Sequence, residues 1–244
     1  GIVSHLYPSL SVGAGMTVGV ADPPASLPSV SGEETDCDGG ERERLKQPGE
    51  AEDTVIIFDW DDTILPSTWL QSQGLGTPTN DTQVSSQQQQ VLSDLTRNVA
   101  RVLGIAQRCG MVIIITNAER GWIELSCQLF LPDLWPLIEG LTLLSARTEY
   151  ERKDLQSPFD WKLKAFESVF VSQPGRRNLL SLGDSCHERD ALVRATTKLK
   201  DCRVKSLRFV ERPSVGQLCE EHALVASVLD SIVHHDGDID LCIG

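Results

Sequence analysis

Four short apolar runs mark the chain from Thr54 onward, and each ends in polar or special residues: TVIIFD (54–59), MVIIIT (111–116), LTLLSA (141–146) and NLLSLGD (178–184). Unbroken Val/Ile/Leu runs of this length suit strands covered on both faces, because a solvated face would impose alternation. A fifth run, RVKSLRF (203–209), alternates more. Helical spacing fills the intervals. In QVLSDLTRNVARVLGIAQRCG (90–110), Val91, Leu95, Val99 and Leu103 fall on one helical face and Gly110 stops the helix. WIELSCQLFLPDL (122–134), FDWKLKAFESVFVSQPG (159–175) and HERDALVRATTKL (187–199) read as further helices. A last one, VGQLCEEHALVASVLDSIVHH, is capped by Ser214. Strand and helix alternate, which predicts an α/β fold: a Rossmann-like three-layer sandwich with a central parallel sheet and right-handed crossovers. SQGLGTPTNDTQVSSQQQQ (72–90) reads as a long polar loop, of the kind that carries function.

The first 52 residues have a different texture. They are rich in Gly, Ser, Pro and acid, and GEETDCDGGERERLKQPGEAED has no apolar period with which to bury a face. A disordered tail over 1–52 and one domain over 53–244 are expected. The chain opens on Gly1 rather than Met, which leaves a fragment or a processed form open. GIVSHLYPSL has no basic region followed by an apolar core, so no secretory signal is expected, and His5 stands where a myristoylation signal needs Ser or Thr.

Charge narrows the partners. The formal net charge of −13 argues against broad binding to nucleic acid or to an anionic membrane, both of which need basic patches. No run of 18 apolar residues exists to span a bilayer. Seven scattered cysteines with no CxxC suit reduced thiols, so an intracellular, cytoplasmic location is expected rather than a disulfide framework or a zinc site.

The strand ends carry the chemistry. In a parallel sheet, ligands bind beyond the carboxyl ends of the strands. The first run delivers Asp59 and Asp61 there, the second Thr116 and Asn117, and the fourth Gly183 and Asp184. A helix bearing Lys162 and Lys164 precedes the fourth run. Carboxylates crowded at one edge repel one another unless a cation neutralises them, and oxygen-only ligation suits Mg²⁺.

VIIFDWDDT, VIIIT-N, a lysine ahead of the fourth strand, and LGDSCHERD stand in order on fitting elements. Together they resemble the haloacid dehalogenase (HAD) superfamily of phosphotransferases, over about residues 54–210. The resemblance implies a Mg²⁺-dependent phosphatase acting through an aspartyl-phosphate. Asp59 would be the nucleophile, and Asp61 the general acid and base, with its backbone carbonyl on the metal. Asp184 would be a direct metal ligand and Glu188 its support, so the implied metal set is Asp59, Asp61, Asp184 and Glu188. Thr116, Asn117 and the neighbouring backbone N–H groups would hold phosphate oxygens, and Lys162 would offset developing charge. Two departures stay open. Glu188 stands where many relatives have Asp, with Asp190 as competitor, and Lys164 competes with Lys162. Lys162 is preferred because it borders the buried face marked by Trp161, Ala165, Phe166, Val169 and Phe170.

Other residues have plainer readings. Asp62 is expected exposed or capping its turn, Arg147 in a surface ion pair, Cys186 as a small packing residue, and Trp60 and Trp69 as core or loop anchors. His187, His234 and His235 show no ligand spacing. Neither Thr63–Gln90 nor Asn117–Trp161 is rich enough to hold a separate core, so a capless or minimally capped enzyme is expected, open to large phosphorylated substrates such as phosphoproteins. The rival reading is a catalytically weak HAD-like binding or scaffold module. The sequence leaves the substrate and the oligomeric state open.

Overall fold

The first strand, β1 (Thr54–Phe58), is buried along its whole length because both of its faces are covered. In this computed structural model, which describes residues 53–76, 83–175 and 177–243, β1 lies inside a six-stranded, all-parallel sheet. The tail expected over 1–52 lies outside the described residues, as do positions 77–82 of the polar loop.

After β1 come α1 (Ser67–Ser72), α2 (Ser86–Cys109), β2 (Met111–Thr116), α3 (Trp122–Phe130), a 3-10 turn (Pro132–Leu134), α4 (Trp135–Ile138), β3 (Thr142–Ser145) and α5 (Ala146–Tyr150). Then follow α6 (Pro158–Ser172), β4 (Asn178–Gly183), α7 (Cys186–Thr196), β5 (Arg203–Arg208), α8 (Val215–His234) and β6 (Ile239–Cys242). The sheet order is β3-β2-β1-β4-β5-β6. The chain winds outward from β1 to β3, then returns to place β4 on the other side of β1. That reversal makes the β1/β4 boundary the topological switch point, the place where parallel α/β sheets bind ligands.

The pleat divides the core in two. Ile56 and Phe58 pack on the face covered by α2 and α8, with Leu95, Val99, Leu103, Val225 and Leu229. Val55 and Ile57 pack on the other face, against Trp161, Ala165 and Phe166 of α6 and Leu192 of α7. Leu70, Leu75, Ile123 and Phe130, from the segments after β1 and β2, join the first of these clusters. Those segments therefore extend the main core and form no second one among the described residues.

Local chemistry sets the ends of the elements. Ser85, Ser185 and Ser214 each cap a helix through a reciprocal box with Gln88, Glu188 and Gln217. The expected helix over 122–134 breaks at Leu131, and the one over 159–175 ends at Ser172, because the residue before a proline is driven out of the helical region. Gly110 ends α2 in extended backbone, and its glycine identity answers a close approach: a Cβ there would lie 2.6 Å from Thr54 Cβ and from its carbonyl oxygen. The run 141–146 pairs as β3 over Thr142–Ser145 only, and β6, α1, α4 and α5 are elements the apolar pattern did not announce.

Candidate active site

β1 and β4 are adjacent and in register, Phe58 opposite Leu182, and the Asp59 backbone N–H donates to the Leu182 carbonyl at 2.8 Å. Asp59 and the Gly183–Asp184 pair thus leave the sheet side by side. Glu188, the third residue of α7, folds back over Gly183. A side chain at 183 has no room, since its Cβ would lie 2.4 Å from Glu188 Cγ. Asp59, Asp184 and Glu188 each present a carboxylate oxygen, and the three oxygens lie within 4.8 Å of one another.

Lys162 enters this cluster from α6. Its side chain is 1% exposed, and its ammonium sits 2.5 Å from Asp59 Oδ1 and 3.0 Å from Glu188 Oε1 while donating to the Ile115 carbonyl at 2.9 Å. All three ammonium donors are used. Lys164 takes no part. It is exposed and pairs with Glu167 at 2.8 Å. Asp190 is equally remote, paired with Arg189 at the surface.

One buried lysine cannot neutralise three carboxylates, and the electrostatics record the imbalance. Burial drags the Lys162 ammonium downward, but Asp59 and Glu188 outweigh it and hold the amine charged above its usual range. Burial would also raise Glu188, yet Lys162 and the Ser185 hydroxyl, 2.5 Å from Oε2, keep it below the usual carboxylate range. Asp59 is pushed well up, by burial first and then, against the pull of Lys162, by Glu188 and Asp61. Among the described residues Asp184 has no cation in contact; burial, then the charges of Glu188 and Asp62, push it up to about 7.

The Asp184 shift yields a pH prediction. A carboxyl whose folded pKa exceeds its unfolded value stabilises the native state below the unfolded pKa and loses that contribution as pH rises through the folded one. The window here runs from about pH 4 to about pH 7. In chelator, Asp184→Asn is therefore expected to be more stable than the wild type above pH 7, by about 2 kcal/mol after discounting for solvent. The two should converge near pH 4. Urea unfolding of both proteins across that range checks it; parallel curves would refute it.

Asp61 faces elsewhere. Its carboxylate accepts from Thr116 Oγ1 at 3.0 Å, Ser67 Oγ at 2.5 Å and Trp122 Nε1 at 2.9 Å, so it lies against the end of β2 and outside the three-acid cluster. Of the four acids expected on a metal, the structure brings three side chains together and turns the Asp61 side chain toward Thr116. Thr116 Oγ1 also accepts from the Ala118 N–H at 2.9 Å. Asn117, beside it, donates to the Pro158 carbonyl at 3.3 Å. Ser67 and Trp122 were not singled out from sequence, because nothing local ties either to Asp61.

The turn after Asp61 is tightly held. Asp62 has φ 53° and is buried rather than exposed: its carboxylate takes the Thr68 N–H at 2.8 Å and the Thr68 hydroxyl at 2.5 Å, satisfying the start of α1. His222 of α8 is fully buried, with Nε2 2.7 Å from the Thr63 carbonyl. Burial lowers its pKa to about 4, so at neutral pH it is an uncharged ring whose Nε2–H donates to Thr63. Trp60 is buried and donates to Ser126 at 3.0 Å, and Trp69 packs against the core. Arg147 pairs with Glu151 at 2.8 Å and lies over the Trp161 ring. Cys186, expected to pack, is exposed at the first position of α7.

No family model, curated protein or solved structure matches this chain. Among the described residues, no helix is long and apolar enough to cross a membrane.

Proposed function

We propose that this protein is a Mg²⁺-dependent phosphomonoester hydrolase of the HAD type, acting through an aspartyl-phosphate. The observation that carries the reading is the meeting of Asp59, Asp184, Glu188 and Lys162 at the β1/β4 switch point, with Asp61 and Thr116 hydrogen-bonded beside them. The donor set fits a hard divalent ion: three oxygen ligands carry more negative charge than one ammonium offsets, and burial first, then the charge of Glu188, push Asp184 up to about 7. Asp59, Asp184 and Glu188, with the Asp61 backbone carbonyl, would hold Mg²⁺, which when bound neutralises these acids and the phosphate oxygens.

The remaining work falls to the chain's own groups. An Asp59 carboxylate oxygen forms a bond to phosphorus while the ester oxygen departs and takes the proton of Asp61. Asp61 then removes a proton from water, whose oxygen attacks phosphorus, breaks the bond to Asp59 and releases inorganic phosphate. Lys162 keeps Asp59 aimed and offsets equatorial charge. Thr116 and the N–H groups after it bind the phosphate oxygens, with Asn117 at the rim. Because the segments after β1 and β2 belong to the main core, the site admits a large substrate, of which a phosphoprotein is the type.

The test is turnover of p-nitrophenyl phosphate with and without Mg²⁺, for the wild type and Asp61→Asn. The variant is expected to lose about 100- to 1,000-fold in rate. It should keep Mg²⁺-dependent binding of beryllofluoride, which mimics the phosphorylated Asp59. A wild type that neither turns over nor gains melting temperature with Mg²⁺ and beryllofluoride is a binding or scaffold module instead.

A further inference from the structure

Asp61 is held by more hydrogen bonds than its turn requires. Oδ1 takes two donors, the Ser67 hydroxyl at 2.5 Å and the Trp122 indole N–H at 2.9 Å. Oδ2 takes one, the Thr116 hydroxyl at 3.0 Å. These donors come from three elements: Ser67 opens α1, Trp122 opens α3 and Thr116 ends β2. The start of α1 is already satisfied by Asp62, which takes the Thr68 N–H and hydroxyl. Each carboxylate oxygen offers about two lone-pair sites. Oδ1 is therefore filled and has no place for a proton while both bonds stand. Oδ2 keeps one site open, so the proton of a neutral Asp61 falls there.

Both Oδ1 donors are anchored. The Ser67 N–H donates to the Leu65 carbonyl at 2.8 Å. Trp122 packs against the main core, and its carbonyl accepts from the Ser126 hydroxyl at 2.5 Å. Ser126 in turn accepts from the indole N–H of Trp60 at 3.0 Å, and Trp60 and Ser126 are both fully buried. Trp60 stands between Asp59 and Asp61, so the segment that bears the two acids also braces the residue that holds one of them.

We propose that Ser67 and Trp122 are positioning residues that fix the Asp61 carboxyl so that Oδ2 delivers the proton to the ester oxygen. The assignment rests on the phosphatase reading above and narrows its substrate class to phosphate esters of alcohols. As Asp59 bonds to phosphorus, the bond from phosphorus to the ester oxygen breaks and its electron pair stays with that oxygen. The Oδ2 proton passes to the same oxygen, and an alcohol leaves. A nitrophenolate or a carboxylate departs as a stable anion and gains little from this proton, whereas an alkoxide depends on it. A site that aims its acid with three donors is built for a basic leaving group.

The experiment compares kcat/KM for p-nitrophenyl phosphate and for phenyl phosphate, a poorer leaving group, in the presence of Mg²⁺. This quantity covers the steps up to departure of the leaving group, so the later role of Asp61 as base does not enter it. The wild type is expected to handle the two esters within about 10-fold of each other. Trp122→Phe keeps a ring and removes the donor; it should lose about 10-fold more on phenyl phosphate than on p-nitrophenyl phosphate. Ser67→Ala should shift the ratio the same way, and Ser67→Thr, which keeps the hydroxyl, should restore it. Equal losses on both esters, or none on either, would overturn the proposal, because general loosening of the fold does not distinguish leaving groups. So would a wild type whose ratio is as steep as that of Asp61→Asn. Should Trp122→Phe not fold, the two Ser67 variants decide. A wild type that hydrolyses neither ester removes the phosphatase reading and this assignment with it; one that hydrolyses both while the variants keep its ratio removes this assignment alone.

Discussion

Asp59→Asn is expected to abolish Mg²⁺-dependent hydrolysis of p-nitrophenyl phosphate, by at least about 1,000-fold. The amide is nearly isosteric but does not serve as the nucleophile. The fold should survive, because Lys162 retains Glu188 at 3.0 Å and the Ile115 carbonyl at 2.9 Å, and the new amide oxygen can accept from it as well. In chelator the variant should melt no lower than the wild type, since one of three mutually repelling carboxylates is gone. Initial rates and melting curves, measured on the same preparations, decide it. A variant that keeps its rate would remove Asp59 from the chemistry. A variant that unfolds would mean that the carboxylate serves structure first.

The second large effect is on stability. Lys162→Met is expected to cost about 3–5 kcal/mol in chelator, because it strips the one cation that, among the described residues, contacts Asp59 and Glu188, and leaves their charge buried. The loss should shrink as pH falls and the orphaned carboxyls take up protons, and also on adding Mg²⁺, which would supply the missing charge. Lys164→Met is the control. Lys164 is about half exposed in an ion pair with Glu167, so its loss should fall within about 0.5 kcal/mol. Urea unfolding of both variants at two pH values, with and without Mg²⁺, measures the contrast. Equal losses would refute the unequal roles given to the two lysines.

Those lysines show where sequence reasoning reached its limit. They sit two residues apart on one helix and point in widely different directions, so local pattern favours one only through the apolar stripe beside it. The structure goes further than that stripe implied: Lys162 does not merely border the buried face but is itself buried, its ammonium drawn inward by two carboxylates. Asp62 is a similar case. Its residue type suits a turn, but its burial depends on Thr68, six residues away, folding back onto it.

Apolar runs of four to six residues sufficed to locate β1 to β4, because strands covered by neighbouring layers need continuous hydrophobicity and little else in the chain supplies it, while β5 showed instead as the alternating run 203–209. The convergence of Asp59, Thr116 and Asp184 on one edge was equally readable, since parallel strands must end on the same side. β6 escaped because IDLC is short, interrupted by Asp240 and exposed at an edge, where pairing to β5 rather than burial defines the strand.

Local pattern thus established the layers of the fold and which strand ends bear the acids, both being consequences of periodicity and chain direction. Packing between elements settled the rest: which lysine enters, and that Asp61 turns to Ser67, Thr116 and Trp122 rather than to the other acids. Such contacts join residues up to 103 positions apart, as in the Lys162–Asp59 pair, and no periodicity within a strand or helix encodes a distance of that kind.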